Sequence, residues 1–68
     1  MNDVWTTRRV LDWTTKDFNA RGLPSARLDA ELLTAHALGT TRVRLYLDLD
    51  RPLLPDELAA IRELVGRR

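Results

Sequence analysis

The segment from Ser25 to Gly39 constrains the fold most, because it is apolar on two sides of one predicted helix. Ser25 is a typical N-cap residue that can accept a hydrogen bond from an amide of the first turn, and Gly39 can adopt the left-handed conformation that ends a helix. At about 100° per residue, one face carries Leu28, Leu32 and Ala35, and the other carries Ala26, Ala30, Leu33 and Ala37. We therefore expect this helix, about Ser25–Leu38, to pack on two sides at the centre of a small all-α domain.

A helix is also predicted on the N-terminal side of this segment. Thr6 is a suitable N-cap, and Gly22 marks an end near Arg21. The apolar side of this helix forms a single stripe, as expected of a peripheral helix. Its residues are Val10, Leu11, Thr14 and Phe18.

The region after Gly39 admits two interpretations. Apolar and polar residues alternate over 43–50, which by period indicates a strand, but no other segment alternates and could pair with it. We favour a short helix from about Thr41 to Leu47, with Val43 and Leu47 directed inward. Pro55 suits the first position of a last helix, although Leu54 is a poor N-cap. The prediction is a small orthogonal or up-down bundle of four helices, the third one short.

Composition limits the class of protein. Sixty-eight residues, 44% of them hydrophobic, make one small domain at most. Without cysteine there is neither a disulfide framework nor a Cys-based metal site. A net charge of +1 selects no particular class of partner, and no apolar run approaches the roughly 18 residues of a membrane span. We expect a cytoplasmic protein with no membrane partner.

No catalytic, cofactor-binding or metal-binding residue is predicted. The single histidine, His36, lacks the neighbouring ligands of a metal site, and there is no glycine-rich loop to hold a phosphate. Asp29 lies near the border of the two apolar faces of the central helix, where an unpaired carboxylate would be costly. We expect Asp29 to have a partner and to act as a structural polar tie.

Two small basic pairs, Arg8–Arg9 and Arg42–Arg44, are possible partner contacts. A compact helical domain with such pairs could bind nucleic acid through a helix-turn-helix formed by its last two helices. However, the last helix begins with Pro55, Asp56 and Glu57, and two carboxylates at that position would repel phosphate. The sequence therefore favours a solvated basic surface over a nucleic-acid interface.

Several short motifs together resemble the N-terminal domain of the PrmC/HemK family, the protein-glutamine methyltransferases that modify peptide chain release factors. The run SARLDAELL at 25–33 carries most of the resemblance, and His36 and the Leu-Gly pair at 38–39 continue it. The likeness extends to LYL at 45–47, RPL at 51–53, PDEL at 55–58 and Leu64-Val65, and Trp13 and Gly22 also match.

This resemblance implies a helical bundle that packs beside a catalytic domain and helps to hold the release factor. Leu28, Leu32 and Leu33 would be core residues and Asp29 their polar tie, not the contact surface. The family's catalytic part is a Rossmann-like domain with a glycine-rich S-adenosylmethionine loop and an Asn-Pro-Pro-Tyr motif. Neither motif occurs in residues 1–68, so no catalytic or cofactor-binding residue is carried over.

The predicted function is that of a substrate-recruiting or accessory domain of an S-adenosylmethionine-dependent protein-(glutamine-N5) methyltransferase. Its expected partner is a class I peptide chain release factor. Two alternatives stay open: a small nucleic-acid-binding helical module, and a free-standing protein-interaction bundle. A reading frame that continues past Arg68 into the two family motifs would favour the enzyme.

Overall fold

A computed structural model describes residues 4–67 and contains four helices joined by short loops. The second helix packs against each of the other three, which confirms it as the central helix. Within residues 4–67 there is no strand, only a single antiparallel bridge between Thr6 and Pro52. The predicted all-α fold with a short third helix is thus confirmed. The helices are α1 (Thr7–Ala20), α2 (Ala26–Leu38), α3 (Arg42–Leu47) and α4 (Pro55–Arg67).

Both ends of α1 follow from local rules. The side-chain oxygen of Thr6 accepts a hydrogen bond from the Arg9 amide at 3.2 Å, so the predicted cap is confirmed. At the other end Gly22 has a φ of 78°, which places it in the left-handed region. The Leu23 amide donates to the Phe18 carbonyl at 3.1 Å, the long-range bond of a Schellman ending.

The core consists of two clusters that share α1 and α2. The larger cluster joins α1, α2 and α4 and contains Val10, Phe18, Ala26, Ala30, Ile61 and Val65. The smaller one takes a single residue from each of α1, α2 and α3, namely Leu11, Ala35 and Leu45. The predicted stripe of α1 is fully buried along its whole length.

The central helix buries one predicted face and only part of the other, because Ala35 of the second face is buried. Leu28 and Leu32 keep 41% and 50% of their surface exposed, so the expectation that they belong to the core is wrong. The reason is that α1, α3 and α4 together cover about half of the circumference of α2. The buried residues of that half are Ala26, Ala30, Glu31, Thr34 and Ala35. Residues 4–67 contain no further helix to cover the two leucines.

The predicted hydrogen bond at the start of α2 is also wrong. Ser25 is the residue before the helix, but its side chain makes no capping bond. Its ψ is 49°, well outside the extended conformation in which a capping hydroxyl reaches the first-turn amides. The Ser25 carbonyl still accepts the first helical hydrogen bond, from Asp29 at 2.8 Å. At the other end, Gly39 has the predicted left-handed φ, 66°.

The third helix exists as predicted but presents the opposite face. Thr41 caps it by accepting a hydrogen bond from the Arg44 amide. Leu45 is the buried residue, whereas Val43 and Leu47 are 71% and 72% exposed, so their predicted inward orientation is wrong. A displacement of two residues rotates a side chain by about 200° around a helix, and burial of Leu45 therefore turns both neighbours to solvent.

The loop before α4 completes the N-terminal end of α1. The Thr7 amide donates to the Arg51 carbonyl at 3.2 Å, and the Arg8 amide donates to the Leu49 carbonyl at 2.9 Å. These two amides belong to the first turn of α1, where no partner exists inside the helix. The residues at 49–51 thus take the place of a longer cap and hold the start of α1 against the loop.

The last helix starts at Pro55 as predicted, and Glu57 supplies the cap that Leu54 lacks. The Glu57 carboxylate accepts a hydrogen bond from the Leu54 amide at 2.9 Å, which is one half of a capping box. A carboxylate at this position also lies favourably near the positive end of the helix dipole.

Candidate docking groove

An open groove of about 410 Å³ lies between α2 and α4. Four residues of α2 line it at intervals of three or four, which places them on one side of the helix. They extend from residue 29 to residue 36, or about 10 Å along the helix axis. The groove is lined by Asp29, Leu32, Leu33 and His36 from α2 and by Leu64 and Arg67 from α4.

The groove has an apolar floor and a polar rim. Leu33 and Leu64 are half-buried at the floor, and Leu33 also contacts the larger core cluster. Leu32 is half-exposed beside them, and Leu28, one turn earlier on α2, extends the apolar surface outside the groove. A cluster of exposed leucines next to a concavity is typical of an interaction site on a small domain.

The rim carries both signs of charge. Asp29 lies in the first turn of α2, and His36 lies in its last turn. Arg67, at the end of α4, pairs with Glu63 at 2.5 Å, and both side chains are mostly exposed. An exposed pair of this kind within one helix contributes only about 0.3–0.5 kcal/mol, so the Arg67 guanidinium can exchange its partner at little cost.

The buried carboxylate of α2 is Glu31, which the sequence pattern did not single out. Only 4% of its surface is exposed. One carboxylate oxygen accepts two hydrogen bonds from the Arg42 guanidinium, at 2.9 and 3.2 Å, and the other accepts from the Tyr46 hydroxyl. Arg27 adds a charge contact at 3.6 Å. Glu31 thereby ties α3 to α2.

The small residues around Glu31 in the sequence are the signal that could have indicated its burial. Ala30, Thr34 and Ala35 are buried, and Glu31 lies between them on the same side of α2. Asp29, the predicted polar tie, lies instead at the half-buried rim of the groove. Its structural role stays a prediction.

The four arginines suggested as partner contacts do not form one basic patch. Arg8 pairs with Asp50 at 3.3 Å, and Arg42 is engaged by Glu31. The guanidinium of Arg9 lies 4.4 Å from the centre of the Trp5 ring, a cation–π distance. Arg44 faces away from Arg42, two residues along α3, and lines a separate cleft.

That second cleft holds about 180 Å³ and is mostly polar. It lies where α1, α3 and the start of α4 meet, and its charged residues are Arg44, Asp48, Arg51 and Glu57. Arg51 pairs with Glu57 at 2.8 Å. The pKa of the Glu57 carboxyl is lowered, first by the hydrogen bond from the Leu54 amide and then by the hydrogen bond from Arg51.

In residues 4–67, no three histidine or carboxylate side chains are grouped so that they could hold a metal ion. Among the helices of that part of the chain, none has the length and apolar character needed to cross a bilayer.

Comparison with known proteins identifies the family. The family model described as the PrmC N-terminal domain matches residues 9–68. A protein of Geobacter sulfurreducens named release factor glutamine methyltransferase is 52% identical over 66 residues, which are 97% of this chain and 23% of that protein. A protein of the same name from Rhodopirellula baltica is 48% identical over 68 residues, 98% of this chain and 23% of its own length.

The chain therefore spans less than a quarter of the length of these two relatives. No solved structure matches it at a comparable level of significance. The family match, however, covers nearly all of the sequence, and the chain belongs to the family of PrmC N-terminal domains.

Proposed function

We propose that this chain is the substrate-recruiting or accessory domain of an S-adenosylmethionine-dependent protein-(glutamine-N5) methyltransferase that acts in the cytoplasm. Its partner is a class I peptide chain release factor. The relatives named release factor glutamine methyltransferase support the enzyme class and the type of substrate. The chain's own contribution is binding, and the methyl transfer belongs to the catalytic domain that this family carries.

The residues of this chain do not suit the cofactor. S-adenosylmethionine is held in such enzymes by a glycine-rich loop, and the described residues contain no such loop. Gly22 and Gly39, the two glycines with positive φ in residues 4–67, lie at the ends of different helices and do not form a common cradle. We therefore assign no step of the transfer to these residues.

The observation that carries the proposal is the apolar face that α2 leaves open. A domain of this size has little apolar surface to spare for anything but its core. Yet Leu28 and Leu32, on its most central helix, remain about half exposed beside a groove. Such a surface favours a module that docks another protein.

A titration of the ¹⁵N-labelled chain with a class I release factor tests this function. We expect saturable chemical-shift changes in the backbone amide spectrum. S-adenosylmethionine, added in a parallel titration, is expected to leave the spectrum unchanged. Absence of any change with the release factor would contradict the recruiting function of this domain.

The nucleic-acid alternative makes a different prediction. Binding through phosphate contacts weakens steeply as salt rises, because counterions are released on association. We expect no such affinity, because these arginines do not form one basic patch: Arg42 is bound to Glu31 and Arg44 lines a separate cleft. A duplex oligonucleotide that bound in a strongly salt-dependent manner would favour the alternative.

A further inference from the structure

We infer that the α2–α4 groove is the site where the release factor docks, and that it receives an amphipathic segment with an acidic side chain. This inference rests on the proposed function and names the surface and the chemistry of the contact. Apolar side chains of the segment would cover Leu32, Leu33 and Leu64, and its carboxylate would pair with Arg67.

The choice lies between two exposed apolar surfaces. The first is the groove with Leu28 and Leu32, and the second is the outer side of α3 with Val43 and Leu47. The α3 surface belongs to a helix of six residues, and its two apolar side chains line neither of the two cavities. The groove instead offers an apolar floor joined to the core, so a partner that enters it excludes water from several leucines together.

The dimensions of the groove suit a helical segment. Its volume of about 410 Å³ lies within the range of about 300–1,000 Å³ that is typical of ligand clefts. The lining residues of α2 extend over about 10 Å, or two turns. An incoming amphipathic helix presents anchors at the same spacing, at positions i, i+3 or i+4, and i+7.

The rim holds the carboxylate of Asp29 as well as the guanidinium of Arg67, and the partner's acidic side chain is assigned to Arg67 alone. Arg67 carries a full positive charge, and His36, the other basic group in the groove, is exposed. Within residues 4–67, the Arg67 side chain pairs with Glu63, an exposed neighbour on the same helix. A carboxylate from a docked segment can replace Glu63 in a drier environment, where the same ion pair is stronger.

The position of the groove agrees with a recruiting role. In the relatives, more than three quarters of the polypeptide lies outside the matched region. Because that region is their N-terminal domain, the remainder follows the end of α4, where Arg67 lies. A segment bound in the groove would thus be held next to the start of the remaining polypeptide.

The test measures the dissociation constant for a class I release factor in groove variants and in matched control variants. Leu32→Gln and Arg67→Glu alter the groove. Leu47→Gln removes a leucine of α3 that is more exposed than Leu32. Arg44→Glu reverses an exposed arginine that makes no ion pair within the described residues. We expect each groove variant to weaken binding about tenfold or more, and each control to change it less than about twofold.

Control measurements separate loss of binding from loss of folding. Circular dichroism should show unchanged helix content for Leu32→Gln, since Leu32 is half-exposed. If this variant unfolds, Arg67→Glu decides alone, because its side chain is at the surface. The loss of affinity caused by Arg67→Glu should become smaller as salt is added.

The outcomes of these measurements test the groove assignment separately from the proposed recruiting function. If the release factor binds and only the α3 controls weaken it, the groove assignment is overturned and the recruiting function stands. If the chain self-associates and Leu32→Gln abolishes that association, a second copy occupies the groove and the inference is wrong. If the release factor does not bind at all, both the inference and the proposed function fail.

Discussion

At the scale of single residues, Glu31 shows how one buried carboxylate can position a short helix. Isolated helices of about six residues are not stable in water, so α3 depends on tertiary contacts. Glu31 receives hydrogen bonds from Arg42 at the start of α3 and from Tyr46 near its end. Together with buried Leu45, these bonds fix both the place and the rotation of α3.

We expect Glu31→Gln to lower the free energy of unfolding by about 1–3 kcal/mol, because the amide loses the charge that strengthens the bonds to Arg42 and Tyr46. Urea unfolding followed by circular dichroism measures this loss. Glu63→Gln is the matched control, since it removes an exposed ion pair and should change the stability by less than about 0.5 kcal/mol. Equal effects of the two variants would contradict the role given to Glu31.

Leucine and isoleucine truncations distinguish the open face of α2 from the core. Leu32→Ala should cost less than about 1 kcal/mol, because Leu32 is half-exposed and leaves no cavity. Ile61→Ala, at a fully buried position, should cost about 2–5 kcal/mol. Thermal unfolding of both variants gives the comparison. A large loss of stability in Leu32→Ala would mean that Leu32 belongs to the core, as the helical pattern alone predicted.

Glu57 makes the stability of the domain depend on pH. Its pKa in the folded chain lies below the ordinary value of 4.5, chiefly because the Leu54 amide donates to the carboxylate. A lowered pKa means that this group stabilises the fold above pH 4.5, and that the contribution is lost as pH falls through the lowered value.

The corresponding measurement is urea unfolding at about pH 6 and about pH 3. Glu57→Gln lacks the titrating group, so we expect its stability to fall less over this range than that of the unchanged chain. Asp56→Asn, which alters an exposed neighbour in the same turn, serves as the control. If the two variants lose stability alike on acidification, the interpretation of Glu57 is wrong.

At the scale of elements, most helix ends were predictable because they depend on neighbours in sequence, and the missing capping bond of Ser25 is the exception. Thr6, Gly22 and Gly39 act where the pattern places them, through hydrogen bonds or backbone angles within a few residues. The orientation of α3 was not predictable in the same way. Its apolar residues alternate, so each side of the helix offered leucines or valine, and only the distant Leu11, Ala35 and Glu31 select Leu45.

Two glycine substitutions test these local rules against each other. Gly39→Ala should destabilise the domain by about 1 kcal/mol, because alanine is strained at a φ of 66°. Gly66→Ala should stabilise it by about 0.5 kcal/mol, since Gly66 lies in α4 and an added methyl group meets no atom within 4 Å. Melting temperatures of the two variants should move in opposite directions. A shift in the same direction would contradict the assigned backbone geometry.

At the scale of the whole molecule, the number and order of helices followed from the sequence, but the groove did not. Its two sides come from residues 29–36 and 64–67, which are far apart in the chain. Periodicity indicated apolar surface on both sides of α2, yet it could not show which side the other helices would cover. The half of α2 that carries Ala26, Ala30 and Ala35 is covered, and Leu28 and Leu32 therefore remain available to a partner.

Intermolecular nuclear Overhauser effects from methyl groups test the central claim most directly. In a complex of the methyl-labelled chain with an unlabelled class I release factor, we predict such effects at Leu28, Leu32 and Leu64. None is predicted at Val43 or Leu47, which are at least as exposed to solvent as Leu28 and Leu32 but lie on α3. Effects confined to Val43 and Leu47, or absent from every methyl group, would contradict a docking site between α2 and α4.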